Sequence, residues 1–182
     1  MQKKETQPPF YEMEHTADKG LRAKGSSVED LFMNMAAGMY HIIFGDIKKV
    51  WAKESDLPYP ASPHMKGEGI EKADHIKPGQ KNQSLNKIKI VRLKEASLTE
   101  LLVSWLSELN FLLFVKYFLV KEIINLNIFR AENQYILKTK LIGNIGLKCK
   151  TLIKTEIKAV TYHQLKIEKI EKEYLGQVIF DV

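Results

Sequence analysis

Cysteine is almost missing from this chain: Cys149 is the one thiol in 182 residues. A single thiol excludes an intramolecular disulfide and a cysteine-cluster zinc site. It suits a reducing compartment, and the expected location is cytoplasmic. Long hydrophobic runs are lacking as well. The nearest, Leu98 to Val120, is broken by Ser104, Ser107, Glu108, Asn110 and Lys116, so no bilayer span is expected. The opening MQKKETQPP carries no apolar signal core. There is no Gly-rich phosphate loop, no G-x-S-x-G elbow, no HExxH and no dinucleotide fingerprint. An aromatic-basic module for single-stranded nucleic acid is missing too, and no internal repeat is evident.

What is present is an ordinary globular composition, 45% hydrophobic and 27% charged. The length fits one domain with a long insertion. A net charge of +6 permits contact with RNA or an acidic protein surface, although lysine-rich faces are also commonly just solvated.

Two helices stand out. Ser26 and Glu29 have the spacing of a capping box, and Val28, Leu31, Phe32, Met35, Met39 and Ile42 follow at helical intervals, with Gly45 as the stop. Ser97 and Glu100 repeat that signal ahead of Leu98, Leu101, Leu102, Trp105, Leu106, Leu109, Leu112 and Leu113. Between the helices, residues 53–86 show no hydrophobic period and are expected to form a mobile insertion. A strand follows around Ile88 to Leu93. Ile124 to Ile128 and Tyr135 to Leu141 predict a hairpin about Ala131-Glu132-Asn133, and Gly143 with Gly146 predicts a further turn. Glu156 to His163, Leu165 to Ile170 and Tyr174 to Val182 read as three more strands. The expected fold is α+β: two amphipathic helices packed on largely antiparallel sheet.

Phe10 to Gly25 carries the densest polar cluster. A short strand leads into His15, Thr16, Ala17 and Asp18, a turn is expected at Gly20, and alternation resumes with Leu21 and Ala23. At the other end Asp181 is followed by Val182 and its α-carboxylate. If the last strand pairs with an early one, Asp18 and Asp181 converge. Carboxylates without a thiol or a His pair select a hard cation, Ca2+, Mg2+ or Mn2+, over zinc. Lys150 and Lys158 could balance charge or hold a phosphate. The plainer alternative is a turn aspartate, a solvated chain end and outward lysines.

HTAD at 15–18, then GLRAKG and SSVEDLF, with TEIKAVTYH at 155–163 and VIFDV at 178–182, resembles the archease family in block order and over most of the chain. The resemblance implies a compact α+β domain that activates the GTP-dependent tRNA-splicing RNA ligase, promoting its guanylylation and multiple turnover, and that is not itself an enzyme. It implies a divalent cation, Ca2+ first with Mg2+ or Mn2+ as alternatives, at Asp18, Asp181 and Val182. Lys150, Lys158 and His15 would contact the partner or phosphate, with tRNA or GTP nearby in the complex. Lys19, where the family usually has an apolar residue, Ser26 and the 53–86 insertion depart from its pattern. A chaperone-like module for a tRNA-modifying enzyme is the alternative function.

Overall fold

The computed structural model describes residues 9–14, 18–45, 87–145 and 152–182. The insertion at 53–86 lies outside the described residues, and so does Gly146. Strands β1 (Phe10–Glu14) and β2 (Asp18–Gly25) lead into helix α1 (Val28–Phe44). Strand β3 (Lys87–Glu95) leads into helix α2 (Leu98–Phe114), and β4 (Phe118–Ala131), β5 (Gln134–Ile145), β6 (Ala159–Ile170) and β7 (Glu173–Asp181) follow among the described residues. One sheet has the order β1-β2-β7-β6 and the other β3-β5-β4. Every described strand pair is antiparallel, as the α+β expectation requires. No helix among the described residues is long and apolar enough to cross a membrane.

The helices form where the caps and the periodicity coincide. Ser97 accepts a hydrogen bond from the Glu100 amide, and the Glu100 carboxylate accepts one from the Ser97 amide, closing the expected box. At α1 the cap is Ser27, one residue later than expected; its hydroxyl accepts from the Asp30 amide. Ser26 instead hydrogen-bonds the Asp30 carboxylate, because the chain is still leaving β2 there. Ser97→Ala is expected to cost about 1 kcal/mol of stability, since it removes one half of a reciprocal cap. A urea midpoint matching wild type would contradict this.

Both helices bury their stripes in a shared core. Leu31, Phe32, Met35 and Met39 meet Leu101, Trp105, Leu109 and Leu112, with Leu21, Val178 and Phe180 supplied by one sheet and Leu137 and Leu141 by the other. The Trp105 indole N–H donates to the Phe32 main-chain oxygen at 3.2 Å, so the largest core side chain also has its polar atom satisfied.

The described halves are duplicated in topology, although the sequence itself shows no evident repeat. The orders β2-β7-β6 and β3-β5-β4 are equivalent, and each of β2 and β3 feeds a serine-capped helix of 17 residues. Arg22 opposite Gln177 corresponds to Arg92 opposite Lys138. Arg130 opposite Tyr135 corresponds to Lys169 opposite Tyr174, with each cation over its ring at 5.7 and 5.3 Å. Even the strained positions match. Glu132 and Glu171 open the hairpin turns at φ 54° and 53°, while Asn125 and Gln164 break the register of β4 and β6 at φ 51° each.

Three strand boundaries differ from expectation. The run expected as two strands, Glu156 to His163 and Leu165 to Ile170, is the single strand β6, starting at Ala159 and kinked at Gln164. Gly20 is no turn but lies inside β2, where a Cβ would come 2.7 Å from Met13 Cε. Gly143 likewise stays in β5, where a Cβ would lie 2.8 Å from the Phe118 ring. At both glycines the missing side chain serves close strand packing rather than reversal.

Candidate metal centre

Strand register brings the two ends of the sequence together. β2 begins at Asp18 and β7 ends at Asp181, and their antiparallel pairing sets these residues directly opposite one another. Directly opposed residues project from the same face of a sheet. Along β7, Val178 and Phe180 turn into the core while Asp181 is exposed, so alternation places the aspartate on the solvent side. Asp18 is half-buried.

The residue just ahead of β6 supplies the positive charge. The Lys158 amide donates to the Asp181 main-chain oxygen at 2.9 Å, and its ammonium donates to a Val182 main-chain oxygen at 2.9 Å. Lys158 thus donates one main-chain and one side-chain hydrogen bond to main-chain oxygens, and no ion pair reaches either aspartate among the described residues. The Val182 side chain packs against the core and anchors the segment. From α2, the Asn110 amide nitrogen donates to the Ile157 main-chain oxygen at 2.9 Å, fixing the segment that carries Lys158. Sequence reading missed Asn110 in this role. Its signal was a polar side chain in an otherwise apolar helix stripe.

Two like charges placed directly opposite one another destabilise a strand pair. A donor set of two carboxylates and a main-chain oxygen, without thiol or imidazole, has the chemistry of a hard-cation site. Among the described residues no group of three His, Cys, Asp or Glu side chains is gathered for a metal. The expected ligand set differs from such a group, since its third member is the main-chain oxygen of Val182. His15 and Lys150 lie outside the described residues. The aspartates belong neither to the groove of about 230 Å³ beside Tyr11 and Arg22 nor to the cleft of about 630 Å³ between the two hairpin tips.

The described residues therefore form an α+β arrangement of two sheets and two helices, with an opposed aspartate pair at one sheet end. The model of the archease protein family (MTH1598/TM1083) matches residues 10–72 and 72–182. The chain is 31% identical over 170 residues to protein archease of Thermococcus kodakarensis, covering 93% of this chain and 95% of that one. It is 30% identical to protein archease of Methanosarcina barkeri over 171 residues, covering 93% of each. The solution structure of Methanobacterium thermoautotrophicum protein 1598 shares the fold, with a TM-score of 0.65, 20% identity, and coverage of 97% of this chain and 100% of that one. The chain belongs to the archease family.

Proposed function

We propose that this protein is a metal-binding cofactor of a GTP-dependent tRNA-splicing RNA ligase in the cytoplasm, promoting the ligase's guanylylation and multiple turnover without being an enzyme itself. The observation that carries the proposal is the register of Asp18 on Asp181 at an accessible sheet end. Asp18, Asp181 and the main-chain carboxyl group of Val182 would hold one divalent cation, Ca2+ first, with Mg2+ or Mn2+ as alternatives. Such a cation would supply positive charge for phosphate oxygens.

The chain's own residues do the rest. Lys158 tethers Val182 to the β6 side of the pair, and Asn110 holds the backbone just ahead of Lys158. The accessible sheet end can enter a partner's concave site, where exclusion of water strengthens its charges. Lys150, His15 and Lys158 are the proposed contacts to the ligase surface or to GTP or tRNA phosphates. No nucleophile accompanies the aspartates among the described residues, and bond making is assigned to the ligase.

Ligation assays with the ligase of the same organism test this. With ligase in excess over RNA, joining should proceed with or without this protein. With RNA in excess, it should stall after one round unless the protein and GTP are present. Equal turnover in both cases would overturn the proposal. Turnover restored only because the ligase stays unaggregated would favour the chaperone-like role.

A further inference from the structure

The internal duplication leaves one strand edge without its counterpart. In the first sheet β1 covers the edge of β2 from Lys19 to Ala23. The corresponding stretch of β3 runs from Lys89 to Leu93, and no described strand covers it, since β3 is the outermost described strand of its sheet. We propose that this edge, with the sheet face beside it, is a docking site for an acidic extended segment of a partner protein, which adds to β3 as β1 adds to β2.

The side chains define the occupant. Val91 is buried and Leu93 packs on the core, so Ile88, Ile90, Arg92 and Lys94 project from the outer face. Ile88 is 58% exposed and Ile90 83%. Across the ladder Arg92 stands opposite Lys138, and Ile90 opposite Lys140. Arg92, Lys94, Lys138 and Lys140 are all exposed, and none has an ion pair among the described residues. Cations beside exposed isoleucines on one face call for a strand whose facing side, every second residue, carries carboxylates against Arg92 and Lys94 and aliphatic side chains against Ile88 and Ile90. An added strand meets that need, with main-chain hydrogen bonds for affinity and alternate side chains for selection. A second copy of this chain would set the lysines and arginine of KIKIVRLKE against the same cations, a common way for edges to resist self-pairing. Nucleic acid fits less well, because bases stack on aromatic rings, whereas this face offers aliphatic Ile88 and Ile90, and its Phe129 ring already lies 5.1 Å from the Lys138 ammonium.

The site is independent of the aspartate pair, so its test is separate. The full chain is mixed with a short peptide whose every second residue reads glutamate, glutamate, valine, valine, with threonine between them, and binding is followed by fluorescence anisotropy and amide hydrogen exchange. The expected result is saturable binding with new protection at residues 89–93. Lys138→Glu combined with Lys140→Glu should weaken binding about tenfold or more, as the loss of several charge pairs implies. That variant should keep its circular dichroism and its cation binding. Ile90→Thr, which keeps strand propensity, should also weaken binding. Equal affinity for a peptide with lysine in place of glutamate would overturn the proposal. So would displacement by oligouridine with the same protection pattern, which would mark a nucleic-acid face. Protection of residues 89–93 in the free chain would show the edge already filled, by its own chain or, if sedimentation finds a dimer, by a second copy.

Discussion

Asp18→Ala is expected to abolish stimulation of ligase guanylylation while leaving the free protein folded and slightly more stable. The two effects have opposite signs for one physical reason. Asp18 faces Asp181 across the β2–β7 ladder with no compensating ion pair among the described residues. Removing one charge relieves a repulsion worth about 0.2–1 kcal/mol in metal-free protein. The same change deletes a ligand from the proposed cation site, and stabilisation by the cation goes with it. A chelated sample should therefore melt at or above the wild-type temperature, and added Ca2+ or Mn2+ should raise the melting temperature of wild type only. Asp181→Ala should behave the same way, because its side chain is exposed and its strand pairing is made by the backbone. A folded Asp18→Ala that still stimulates the ligase fully would remove Asp18 from the site. A variant that unfolds would show that the pair is structural.

Trp105→Ala should produce the largest loss of stability from a single side chain. Trp105 is fully buried and its indole N–H joins α2 to the Phe32 carbonyl of α1. Truncating such a residue opens a cavity and costs about 3–5 kcal/mol. Domains of this size hold only about 5–15 kcal/mol in total. The melting temperature should fall by about 6–20 °C. Phe at this position restores much of the volume but not the donor, so Trp105→Phe should lie between the two. A melting temperature within a degree of wild type for Trp105→Ala would mean that the two helices do not depend on each other.

The aspartate pair was legible because its two parts carry local signals. Val178 and Phe180 alternate with Asp181 in VIFDV, and HTAD sits ahead of an alternating strand. Pairing of the last strand with an early one was only one possibility for these residues, and it was the family resemblance that singled out Asp18 and Asp181. The helices were legible for the same reason, since caps and stripes are local, and the one-residue error at Ser26 arose because two adjacent serines offer the same hydroxyl. The duplication was not legible. The halves share little beyond Arg22-x-Lys24 with Arg92-x-Lys94, the capping serines and the paired tyrosines, and their hairpins arrive in crossed order, β6–β7 serving β2. The bulge at Gln164 was hidden because glutamine gives no signal for a left-handed backbone, whereas Asn125 in the equivalent place is a residue type that tolerates it. Gly20 and Gly143 misled for the opposite reason: glycine signals a turn, but here it relieves crowding between paired strands.

The most direct test of the account is a calorimetric titration of divalent cation into chelator-treated full-length protein, repeated for Asp18→Asn and Asp181→Asn. These substitutions keep the shape of each side chain and remove its charge. The prediction is one cation per chain for wild type, with Ca2+ bound more tightly than Mg2+, and no measurable binding for either variant. Wild type that takes up no cation, or two asparagine variants that bind it as well as wild type, would contradict the assignment of Asp18 and Asp181 as its ligands.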